Sequence, residues 1–124
     1  IRPKAVHIEN EQKGRTIMKT AEIVQKLGIH SIYCGYFYVI YGTELAVADE
    51  RYLLSITKWL YPEIAAHFDT SYSKVERGIR TVVNICWQEG NRKYLNELAG
   101  YRLTRKPTSG EFIAILSEYI KMHR

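Results

Sequence analysis

Apolar residues first fall into helical spacing at Ile17, Ala21, Val24 and Leu27, and Gly28 stands where a helix C-terminal cap is expected. The fifteen residues ahead of them are polar and carry no apolar period, so the pattern predicts a linker or mobile arm over 1–15 and a folded domain over 16–124. Further on, Ile64, Ala65 and Phe68 form the apolar edge of a short helix with Pro62 in its first turn, where a missing N–H costs little. Asp69-Thr70-Ser71 makes a tight polar turn, and a longer helix follows to about Gln88, with Gly90 placed to terminate it. Asn91 can cap a helix over 92–99 that Gly100 ends. A basic loop, Tyr101–Pro107, leads to Thr108-x-x-Glu111, a capping box opening a last helix with Phe112, Ile115, Leu116 and Tyr119 on its apolar face.

The segment between Tyr33 and Tyr41 resists this reading. It is rich in aromatic and β-branched residues, which propensity assigns to a strand. Helical spacing is equally available, since Tyr33, Phe37 and Ile40 share one face. Periodicity alone leaves both open.

The helix over 72–88 is the most informative. At about 100° per residue, Val75, Ile79, Val82 and Cys86 gather into one stripe, while Ser73, Arg77, Arg80 and Asn84 gather opposite, flanked by Glu76. Lys74 and Thr81 sit on the other shoulder. Val75 lies ten residues after Ala65, the spacing of a helix-turn-helix in which a small residue lets two helices cross closely. Gly78, at a propensity cost of about 1 kcal/mol relative to alanine, suits close backbone approach between crossing helices. The exposed chemistry suits a major groove: arginine donates two parallel hydrogen bonds to guanine, and glutamate accepts from cytosine. A solvated face with a Glu76–Arg80 pair, worth about 0.2–0.5 kcal/mol, is the plainer alternative. Spacing does not decide between them.

Composition narrows the classes. The chain has 124 residues, 46% hydrophobic and 25% charged, enough for one domain with its own core. Its net charge of +5 favours an anionic partner. Basic groups outnumber acidic ones by seven to six over 1–56, six to four over 57–93 and five to three over 94–124, so a basic patch has to be assembled by folding. The longest uncharged stretch, Leu27–Thr43, is too short and too polar for a spanning helix of about 20 apolar residues. Cys34 and Cys86 form no C-x-x-C pair and read as two reduced thiols of a cytoplasmic protein. His7, His30, His67 and His123 lack ligand spacing, and no nucleophile, phosphate-loop or zinc motif is present, so no enzyme, metal or cofactor is expected. Arg102, Arg105 and Lys106 form either a solvated loop or a phosphate clamp beside the long helix.

The strings S-I-T-K-W-L-Y-P-E-I-A-A-H-F (55–68), S-K-V-E-R-G-I-R (73–80) and K-P-T-S-G-E-F-I-A (106–114), with G-Y-F-Y at 35–38 and G-N at 90–91, closely resemble the effector domain of the stage-zero sporulation protein A family, response regulators of sporulation initiation. The likeness runs from about Ile17 to about Ile120. It implies an all-α bundle of about six helices with an embedded helix-turn-helix, and so assigns 33–41 to a helix. It further implies a transcription factor that activates some promoters and represses others, binding short, often tandem boxes of double-stranded DNA. Carried over by position, Glu76, Arg77 and Arg80 become base readers, with Ser73 a base or phosphate contact. Lys74, Thr81, Asn84, Arg105 and Lys106 become flanking or phosphate contacts. The family pattern has arginine at Lys74, alanine at Gly78 and histidine at Thr81, departures that bear on the DNA box rather than the fold, and lysine at Cys34, where a contact of unassigned purpose is lost. A phosphorylated receiver domain precedes the effector domain in the family. Nothing here supplies its acidic pocket, and the chain opens on Ile1, so 1–15 is expected to be the remnant of an interdomain linker. The sigma subunit of RNA polymerase is a further candidate partner, and a helical protein-interaction module contacting polymerase or another regulator is the competing reading. No membrane association is expected.

Overall fold

The computed structural model describes the backbone of residues 10–124 and the side chains of residues 18–124. The described residues form six α-helices and no strand. They are α1 (Asn10–Lys26), α2 (Cys34–Ala48), α3 (Tyr61–His67), α4 (Tyr72–Gln88), α5 (Arg92–Ala99) and α6 (Ser109–Met122). A 3₁₀ turn (Glu50–Leu54) and a π turn (Ile56–Leu60) carry the chain from α2 into α3. Helix α1 starts at Asn10, ahead of its apolar period, in a run containing the good helix formers Glu11, Gln12 and Lys13. The arm expected over 1–15 otherwise lies outside the described residues.

The segment that propensity assigns to a strand is helix α2, the axis of the bundle. It touches α1, α3, α4 and α6, which bury Tyr36, Tyr38, Val39, Ile40, Thr43 and Ala46, while one face, with Cys34, Phe37, Tyr41, Leu45 and Ala48, stays exposed or half-buried. That open face carries Phe37, Tyr41, Leu45 and Ala48, so no polar stripe marks which side of the helix is uncovered. Its partners are amphipathic and present the remaining core: Val24, Leu27, Leu60, Ile64, Ile79, Leu95, Phe112, Ile113, Leu116 and Ile120 are under 2% exposed. Each such side chain contributes about 1.5–3 kcal/mol of transfer free energy. The inner face of α6 centres on Phe112, Ile113, Leu116 and Ile120, with Ile115 and Tyr119 only half-buried at its edge.

Helix ends follow local chemistry. Gly28 (φ 96°) and Gly100 (φ 85°) take the left-handed conformation just past α1 and α5. Ser71, Asn91 and Thr108 accept hydrogen bonds from the N–H groups of Lys74, Tyr94 and Glu111. Pro62 sits in the first turn of α3, directly after the π turn, whose wider loop relieves the clash a proline ring makes in an α-helical register.

Candidate nucleic-acid interface

Helices α3 and α4 are joined by a turn over 68–71. The Thr70 N–H donates to the Ala65 carbonyl at 2.9 Å, and Asp69 takes φ 51°, which a short polar side chain tolerates. Ala65 and Val75 are both buried, 7% and 0% exposed, as a close crossing requires. Phe68, leaving α3, packs edge-on against Tyr38 of α2 at 5.4 Å.

The back of α4 is sealed: Val75, Ile79, Val82 and Cys86 are fully buried. On the front, Ser73, Arg77 and Arg80 are exposed and Glu76 and Asn84 half-buried, so the structure brings the five expected residues onto one accessible face. Lys74 and Thr81 are also exposed. Arg80 reaches Glu76 at 3.5 Å, a loose pair across one helical turn that leaves most of the guanidinium free. The Thr81 hydroxyl donates to the Arg77 carbonyl at 2.9 Å, so its proton is committed within the helix and the oxygen is left to accept only.

Gly78 has a different neighbour from the one expected. A Cβ on it would meet the Tyr38 ring at 2.9 Å and the Gly35 Cα at 3.3 Å. The helix it lets approach is therefore α2, not α3. From the other side a Cβ on Gly35 would stand 2.1 Å from the Gly78 carbonyl oxygen. The two glycines make one contact that sets how α4 lies on the bundle axis.

The basic loop adjoins the same face. The Lys106 ammonium donates to the Asn84 side-chain oxygen at 2.6 Å, tying the loop to the last exposed position of the α4 stripe. Tyr61, whose phenol is raised by burial, shares a hydrogen bond with Ser109 at the start of α6 and lies in the field of Glu76 and Arg80. Arg105 is forked onto Glu111, with both oxygens at 2.9 Å, and also donates to the Lys106 carbonyl at 3.2 Å. The hydrogen bonds from Arg105, then from the Thr108 N–H, hold the Glu111 carboxyl down to about 2. The capping box is legible in the sequence, but its glutamate's second partner is not. Three basic residues ahead of a capping glutamate are the only signal of it.

Both cysteines are free thiols, Cys34 exposed and Cys86 buried. Among the described residues no group of three or more His, Cys, Asp or Glu side chains is placed to hold a metal ion. No helix among them is long and apolar enough to cross a membrane.

Two helices closed by a short polar turn, the second exposing arginines and a glutamate, define a helix-turn-helix domain. The profile of the family Sporulation initiation factor Spo0A C terminal matches residues 20–120. The chain belongs to that family, which is one of DNA-binding effector domains.

Proposed function

We propose that this domain is a sequence-specific transcription factor that lays α4 in the major groove of promoter DNA. Glu76, Arg77 and Arg80 are its base readers, and Ser73 touches a base or a phosphate. Lys74, Asn84 and Lys106 flank them on the backbone. Arg105 and Thr81 contribute less directly, the first because Glu111 holds it and the second because its proton is committed. The observation that carries this reading is the exposed Ser73–Arg77–Arg80 stripe, set on a helix whose opposite side is buried. In keeping with the family, the domain activates some promoters and represses others at the onset of sporulation, at boxes that are often tandem. It works in the cytoplasm under a receiver domain joined through 1–15. The proposal extends to a second contact, with the sigma subunit of RNA polymerase, and a groove of about 620 Å³ lined by the end of α5, the basic loop and α6 is the surface on which to test it. Tyr101 and Met122 border it and are 63% and 78% exposed.

Selection of binding sites from random duplexes tests the main reading. The wild-type chain should enrich one motif. Arg77→Ala and Arg80→Ala should each cost about 1–3 kcal/mol on that motif and relax preference at one base pair. No enriched motif, or equal losses on cognate and random DNA for both variants, would refute base readout by this face.

A further inference from the structure

Two adjacent cations of the basic loop are held by partners of different charge. Lys106 is bonded to the neutral Asn84 amide and keeps its full charge. Arg105 is bonded through two nitrogens to the Glu111 carboxylate, and the pair carries no net charge. Glu111 is itself fixed, because one of its oxygens also accepts the Thr108 N–H at 2.8 Å while its own N–H donates to the Thr108 hydroxyl. The acid therefore cannot follow the arginine outward without breaking the first turn of α6. Arg105 remains 66% exposed, so phosphate could reach it, but only in competition with a bidentate partner.

We propose that Glu111 is a positioning residue for DNA binding: by forking Arg105 it withholds one cation from the phosphate backbone and so sets the sequence-independent share of the affinity. This rests on the reading that the α4 face and the adjoining loop meet duplex DNA. Each cation brought onto a phosphate steepens the dependence of log K on log salt by about 0.9. With the fork intact, Lys106 contributes to that slope and Arg105 does not. Arg105 adds to no base preference in either state, so releasing it should tighten all sequences alike.

Glu111→Gln is the informative variant, because glutamine keeps an oxygen for the Thr108 N–H and belongs to the same capping box. Affinities for a selected duplex and a random duplex are measured by fluorescence anisotropy across a salt series. At low salt both should tighten by about threefold or more, by equal factors, with the slope steeper by about 0.9. Lys106→Ala should flatten the slope by a similar amount, and Arg105→Ala should leave it within a few tenths of the wild-type value. In an Arg105→Ala background the gain from Glu111→Gln should vanish at near-physiological salt, where charges beyond about 8 Å are screened. A gain that survives there would mean plain repulsion of phosphate by Glu111 and would overturn the proposal, as would an unchanged slope or weaker binding in Glu111→Gln. Arg80→Ala run alongside separates the two readings. If it loses motif preference while Glu111→Gln changes nothing, this inference fails alone; if the wild type binds both duplexes equally, base readout fails alone; if it binds neither, both fail.

Discussion

Replacing Gly35 by alanine should cost this domain more than its small size suggests. The change stabilises an open helix interior by about 1 kcal/mol, through the lower conformational entropy of the unfolded chain and better helix propensity, and at Gly35, the second residue of α2, by no more than that. Here the added Cβ would stand 2.1 Å from the Gly78 carbonyl oxygen, 2.7 Å from the Gly78 carbonyl carbon and 2.7 Å from a Val82 methyl, where ordinary contact begins near 3.4 Å. The obstacle is backbone of another helix, more than an ångström too close, so no rotamer change removes it. Overpacking of a core by even a flexible neighbour costs about 1–3 kcal/mol, and a rigid one belongs at or above the top of that range. After the propensity gain is set against it, a net loss of about 2 kcal/mol remains. For a domain of this length that lowers Tm by about 5–12 °C. Thermal unfolding followed by circular dichroism at 222 nm reads this directly. Gly110→Ala is the control, since a Cβ there meets only Ile56 side-chain atoms, the nearest at 3.4 Å, and should change Tm by no more than a few degrees. If Gly35→Ala melts at or above the wild-type temperature, the Gly35–Gly78 contact does not set the spacing of α2 and α4.

Glu111 titrates near 2 in the folded chain against about 4.3 when unfolded, so the unfolded state takes up its proton first as pH falls. Its contribution to stability should be complete above about pH 5 and fade as pH drops towards 2, and Glu111→Gln should flatten that part of the acid-unfolding curve. Burial pushes the Cys86 thiol up to about 11, whereas Cys34 is exposed. A thiol reagent at pH 8 should therefore label one cysteine quickly in the native chain and two in denaturant. Thr108→Ala removes the hydroxyl half of the α6 capping box and should cost about 0.5–2 kcal/mol in urea unfolding.

What the sequence discloses follows from the range over which each signal acts. The α4 stripe is legible because one face of that helix is covered and the other is not, so Val75, Ile79, Val82 and Cys86 alternate with polar groups at helical spacing. Two caps are legible because Asn91 and Thr108 act within three residues of themselves, whereas Ser71 reads only as part of the polar turn. Helix α2 is not legible from periodicity, since its less buried face carries Phe37, Tyr41 and Leu45 instead of charged groups, and only the family likeness assigns it. A helical wheel also shows that Gly78 needs a close neighbour without showing which one. The neighbour is Gly35, 43 positions earlier in the chain, where local spacing carries no information. The ties from Lys106 to Asn84 and from Arg105 to Glu111 are hidden for the same reason: each spans a loop whose path is set by tertiary packing.

Helix α4 is held at three separated places. Ser71 and the turn after α3 fix its first turn, Gly35 fixes the depth of its middle against α2, and Lys106 ties down Asn84 in its later turns. With four core side chains fully buried along its back, its rotation is fixed as well. Under the proposed reading this separates pose from chemistry. Changes to the shoulder side chains at Lys74 and Thr81 leave the three anchors intact, since Lys74 meets Ser71 only through its backbone N–H, and so leave Glu76, Arg77 and Arg80 aimed as before. They alter only what the shoulders can offer. A lysine in place of arginine gives a point charge instead of a planar fork. Thr81, with its proton on the Arg77 carbonyl, gives a phosphate oxygen nothing to accept. The departures from the family pattern at Lys74 and Thr81 therefore bear on how tightly the backbone is held. The choice of base pairs stays with the three residues between them.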